Sequence, residues 1–174
     1  MLTLERLRAD HADALLAFEL ENRAYFARSV PDRGDAYFTT DGFAERLRAL
    51  LAEQHAGVCR FHVVLDEEGG LVGRVNLVDL ADGCAELGYR TGERSAGRGV
   101  ATAAVAQLCR LAASDYGLTS LTAVTTLDNH ASMTVLARNG FTRVEDTTVD
   151  GRPGVRFVRR NVDFAPSAPS ANMS

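Results

Sequence analysis

The residues most capable of chemistry lie in three places. The first is the turn Arg94-Ser95-Ala96-Gly97-Arg98-Gly99, followed by Val100, Ala101 and Thr102. Glycines let backbone approach a ligand closely because no Cβ stands in the way. If a helix begins here, its first N–H groups lack intrahelical partners and carry the positive end of the dipole, which suits a phosphate or pyrophosphate. Arg94 and Arg98 could add charge-assisted contacts. The second place is the run Ala85-Glu86-Leu87-Gly88-Tyr89-Arg90-Thr91, with a carboxylate inside a β-type pattern. The third is Asn129 with Ser132 three residues later, a spacing that puts both on one side of a helix.

Several designs use glycine-rich anion turns. A P-loop needs Gly-Lys-Ser/Thr, and all 19 basic residues here are arginine. A dinucleotide fingerprint needs a third glycine where Thr102 stands, within a parallel sheet. A glycine-lined helix entry with no ligand is the plainest alternative. The pattern Arg94-x-x-Gly97-x-Gly99 also fits the R/Q-x-x-G-x-G/A loop, and the flanking blocks extend that match. The strand at residues 85–91 resembles an E-L/I-G-Y strand, and residues 129–141 resemble N-x-x-S-x-x-V-L-x-x-x-G-F. Together they resemble the GNAT superfamily of N-acetyltransferases. Glu21-Asn22-Arg23, followed by Tyr25 and Phe26, is similar to the first-helix region of its RimJ/RimL subgroup, whose members acetylate protein N-termini, with relatives acting on small amines.

That resemblance implies acetyl-CoA as co-substrate, no metal, and direct transfer to an amine. It implies that Tyr89, Arg90 and Thr91 pair through the backbone with the pantetheine arm. Gly97 to Thr102 would hold the pyrophosphate, Asn129 would bond the pantetheine or nearby backbone, and Ser132 would be general acid to the departing thiolate. Glu86 is the first candidate for base, although an ordinary carboxylate, with a pKa of about 4.3, must be raised or act through water. A carboxylate of the final hairpin, where Asp146 and Asp150 lie, is a second possibility. The amine must be neutral to attack, the tetrahedral oxyanion needs donors, and the thiolate gains from a proton. No Cys-His-Asp or Ser-His-Asp set is evident, in agreement with transfer by positioning. A non-catalytic acyl-CoA-binding module and a nucleotide-binding switch are the rival classes.

These groups must be placed by a frame that the sequence also outlines. Residues 2–7 read as a short strand, and Asp10 with Asp13 as the start of a helix over 11–22. Residues 26–39, with Pro31 and Gly34, read as a loop or broken helix. Thr40 or Asp41 caps a second helix with Phe43, Leu47, Leu50 and Leu51 on its stripe. Strands follow at 61–65, 71–80 and 84–91, then a helix with Val100, Ala104, Leu108 and Leu111 on one face. A strand at 121–126, a helix at 130–139, and strands at 141–149 and 155–164 around Asp150-Gly151 complete the chain. The expected class is α/β (α+β): a GNAT-type mixed, mostly antiparallel sheet of about seven strands flanked by about four helices. Residues 1–164 read as one domain and 165–174, rich in Ala, Pro and Ser, as a disordered tail.

At 174 residues and 46% hydrophobic content the chain can bury one substantial core. A net charge of −4 weighs weakly against direct nucleic-acid binding and is compatible with a cationic acceptor. Cys59, Cys84 and Cys109 show no ligand spacing and read as small buried apolar groups in a reducing cytoplasm. No signal peptide or membrane-length apolar run is present, so a cytoplasmic monomer or homodimer is expected. The lone His62 reads as structural and His130 as a surface residue. Tyr25, Phe26, Tyr37 and Phe38 could line an acceptor pocket or pack in the core.

Overall fold

The computed structural model describes residues 1–161. The expected tail, and the end of the last expected strand, lie outside those residues. Seven strands form one sheet in the order β1-β2-β3-β4-β5-β7-β6. They are β1 Thr3–Arg6, β2 Arg60–Leu65, β3 Leu71–Ala81, β4 Cys84–Thr91, β5 Ser120–Thr126, β6 Thr142–Val149 and β7 Arg152–Arg160. Every neighbouring pair is antiparallel except β4 and β5, which run parallel and are joined through a helix. The helices are α1 Ala12–Glu21, α2 Arg23–Ala27, α3 Thr40–His55, α4 Val100–Ser114 and α5 His130–Arg138.

Strand alternation divides the core into two layers. Val64, Val75, Leu77, Ala85 and Leu87 meet Ala104, Val105 and Leu108 of α4 on one face. Phe61 and Val63 meet Leu15 and Phe18 of α1 and Phe43, Leu47 and Leu50 of α3 on the other. The buried face of α4 comprises Ala104, Val105, Leu108, Cys109 and Ala112, so Leu111 lies beside the stripe rather than on it.

Other boundaries shift by a residue or two. Asp10 does not cap α1, because its carboxylate is held by Arg8 at 3.0 Å. Thr39, one residue before the expected caps, accepts from the Gly42 N–H at 3.0 Å and starts α3. The segment 26–39 is ordered around α2 and a 3-10 turn, Asp35–Phe38. Asp150 and Gly151 both have positive φ, the geometry of a tight hairpin turn, so β7 begins at Arg152. Cys59 and Cys109 are buried, but Cys84 is exposed because it opens β4 directly after a turn.

His62, on β2 between Arg6 of β1 and Val75 of β3, is buried, with its Nε2 2.7 Å from the hydroxyl of Tyr116 just after α4. Burial pushes its pKa down to about 4. The unfolded chain therefore binds a proton here near pH 6.5 while the folded chain does not, and stability attributable to this ring falls as pH drops from about 6.5 to 4. The loss should approach ~3 kcal/mol. Urea unfolding at pH 7 and pH 4.5 should show a smaller stability decline in His62→Gln than in the parent. Parallel declines would contradict a neutral buried ring.

Candidate functional site

The site grows from a defect in the sheet. β4 and β5 pair only at Cys84↔Ser120, Ala85↔Leu121 and Glu86↔Thr122. Beyond that point β4 stays on β3 through Thr91, and β5 stays on β7 through Thr126. The two strands therefore part, and residues 87–91 present backbone groups to an opening instead of to a neighbour. Unpaired strand edge of this kind accepts an extended partner with alternating amides.

A cleft of about 460 Å³ fills the opening. Tyr89, Arg90 and Thr91 form one wall. Gly97, Gly99, Val100, Ala101 and Thr102 form the end, where α4 begins. Gly97 and Gly99 take φ of 73° and 75°, the left-handed region that glycine tolerates, and a Cβ on either would meet nothing within 4 Å. No side chain caps α4 at Gly99, so its first N–H groups point into the cleft end uncapped. These features fit a pyrophosphate.

Asn129 and Ser132 line the opposite wall. The Asn129 Oδ1 accepts from the Ser132 backbone N–H at 3.1 Å, which caps α5 and fixes the serine at the cleft. Tyr89 and Ser132 line the same cleft; burial pushes the phenol's pKa up, while its interaction with Ser132 acts the other way. The phenol thus stays protonated at neutral pH. A second cavity of about 160 Å³ shares Tyr89, Asn129 and Ser132 and continues between the parted strands to Asp150 of the β6–β7 turn.

Three expected residues are not brought into the cleft. Glu86 lines neither cavity: it sits where β4 is still paired with β5, and three residues of pleat separate it from Tyr89, which turns its side chain to the other face. Arg94 is directed back to α1, where it pairs with Glu21 at 2.7 Å. Arg98 is exposed outside the lining. Among the aromatics, Tyr25 and Phe26 line the cleft, with Ser29 and Val30 after them, whereas Tyr37 and Phe38 do not. Ala131, Thr134, Val135 and Arg138 also line it and escaped sequence reasoning, although their helical spacing along α5 carries the signal. His130 is exposed and lines neither cavity.

A mixed sheet parted between two parallel strands, with an uncapped helix entering the gap, defines the acyl-CoA-dependent acetyltransferase architecture. Residues 1–142 match the Acetyltransferase (GNAT) domain family model, and the chain belongs to that family. Its fold is similar to that of ribosomal-protein-S5-alanine acetyltransferase from Vibrio fischeri, with a TM-score of 0.86 at 22% identity over 95% of this chain and 96% of that one. Mycobacterium smegmatis RimJ in complex with CoA-disulfide gives 0.85 at 21% identity, over 95% and 84%. A spermidine N-acetyltransferase SpeG chimera from Vibrio cholerae and hSSAT gives 0.73 at 17%, over 91% and 95%. No curated protein sequence matches the chain. Among the described residues no helix is long and apolar enough to cross a membrane, and no cluster of metal-ligating side chains occurs.

Removing the α5 cap should loosen the wall that holds Ser132. Asn129→Ala is expected to lower unfolding stability by ~1 kcal/mol. Chemical denaturation checks this, and unchanged stability would show that the cap does not hold α5.

Proposed function

We propose that residues 1–164 form one domain that transfers an acetyl group from acetyl-CoA to an amine of a cytoplasmic acceptor, as a monomer or homodimer and without metal. The observation that carries this reading is continuity: one cleft joins an unpaired strand edge at 89–91 to an uncapped helix start at 97–102. The pantetheine amides extend β4 along the first, and the pyrophosphate sits on the second. Arg138, at the cleft wall on α5, supplies a cation for the phosphates. This arrangement leaves the thioester at the junction of the two cavities, beside Ser132.

There the amine lone pair attacks the thioester carbonyl carbon, the C–N bond forms and the C–S bond breaks. The leaving thiolate takes the Ser132 hydroxyl proton, which is replaced through the Tyr89 phenol from solvent. The proton lost by the amine passes to Asp150 and then to water; we assign it there rather than to Glu86, because Asp150 lines the second cavity. Net, the acetyl group moves to nitrogen and one proton moves from nitrogen to sulfur.

Relatives of similar fold include enzymes named for ribosomal proteins and for spermidine. The second cavity offers one carboxylate, Asp150, which suits a single amine better than a polyamine. A protein N-terminal α-amine is therefore favoured over a polyamine or antibiotic.

Two variants test the reading. Gly99→Glu places bulk and negative charge at the pyrophosphate and should abolish coenzyme A binding by calorimetry; unchanged affinity would remove the loop assignment. Ser132→Ala should lower kcat by about tenfold to a hundredfold with little change in acetyl-CoA affinity. Turnover equal to the parent's would remove its role as acid. If coenzyme A binds yet no amine in a panel accelerates thiol release, the chain is a binding module instead.

A further inference from the structure

Beneath α2, next to the proposed reaction centre, two arginines share one carboxylate. Glu19 of α1 is buried against the sheet, with 1% of its side chain exposed. One of its oxygens accepts from Arg74 Nη1 at 2.8 Å. The other is 3.4 Å from Arg90 Nη1, at the limit of a hydrogen bond. Arg74 is itself buried, and the Arg90 side chain is 23% exposed. One negative charge thus faces two positive ones in a largely dehydrated space.

The surroundings do not restore the balance. Arg33 adds further repulsion to Arg90. The carboxylates of Asp32 and Asp35 share the single Arg23 guanidinium, each at 2.8 Å, so with Arg33 this rim holds two negative and two positive charges and leaves the excess on Arg90 in place. The Phe26 ring lies 4.6 Å from the Arg90 guanidinium and keeps water from one face of it. Arg90 follows Tyr89 on the strand, so its side chain lies on the opposite face of the sheet, toward α1 and α2. The residue still lines the main cleft and keeps 23% of its side chain exposed, which leaves donors accessible to a molecule approaching from that face. An excess buried cation with spare donors is the arrangement that receives a carboxylate.

We propose that Arg90 selects acceptors that carry a carboxylate close to the reacting amine, such as a polypeptide N-terminus with an acidic residue at its second position. This rests on the acetyltransferase reading above. The amine end faces Asp150 and the carboxylate end faces Arg90, so the two charges of the acceptor are oriented across the junction at Tyr89 and Ser132. A neutral or polycationic amine leaves Arg90 without its partner.

The test begins with the unaltered protein and amidated tetrapeptides differing by one atom type: Ser-Asp-Gly-Gly against Ser-Asn-Gly-Gly, with serine against serinamide in parallel. The acidic peptide should be acetylated with kcat/KM at least about tenfold higher than its neutral partner. A preference confined to serine over serinamide keeps the carboxylate and moves it to a free amino acid. Equal values in both pairs would overturn the inference while leaving the acetyltransferase reading intact; no acetylation of any amine would overturn both. In Arg90→Gln the acidic-to-neutral ratio should fall close to one. A retained ratio, or loss of coenzyme A affinity in proportion to loss of activity, would also overturn it. The peptide comparison decides the matter even if that variant does not fold.

Discussion

The parting of β4 from β5 after the Glu86↔Thr122 pair is the constraint on which the site depends. A strand buried in a sheet normally satisfies both backbone edges, and leaving one open costs free energy unless something else pairs with it. Here the open edge faces a cleft rather than core. On one side of the opening α4 enters with an uncapped first turn, and on the other α5 enters with Asn129 capping it. α4 links β4 to β5, and those two strands keep their pairing with β3 and β7 on the outer sides, so the opening is held apart from both sides. An extended, amide-bearing ligand ending in phosphate is complementary to such an opening along its whole length.

The second organising feature is the charged contact between α1 and the sheet. Glu19 and Arg74 are paired at 2.8 Å and nearly solvent-free. Breaking a buried pair by removing one partner commonly costs 3–5 kcal/mol. Glu19 therefore fixes the end of α1, and hence α2 and Phe26, over the cleft. A fully apolar contact would do so without leaving charge over. The surplus on Arg90 is what gives this packing contact a bearing on which acceptor enters.

Much of this was legible from local signals. Asp150-Gly151 announces its hairpin because consecutive positive φ values demand such residues, and Gly97 and Gly99 announce the helix entry for the same reason. Asn129 and Ser132 were legible together, since a cap and its recipient N–H lie within one turn. The cap of α3 was misplaced by one residue because Thr39, Thr40 and Asp41 are all competent caps. The position of Glu86 outside both cavities was illegible for a different reason: residue type says nothing of where two strands diverge or which pleat faces the gap. The charge around Arg90 was illegible, because Glu19 stands 71 residues away in sequence. Non-local pairing of this kind leaves no periodic trace.

The account's central claim is that the parted strands and the glycine-lined helix start form one continuous acetyl-CoA site. A crystal structure of the protein with coenzyme A tests it most directly. The claim predicts pantetheine amides bonded to backbone at residues 89–91, pyrophosphate oxygens on the N–H groups of residues 97–102, and the sulfur beside the Ser132 hydroxyl. Coenzyme A held elsewhere, or with its pyrophosphate away from the start of α4, would contradict it.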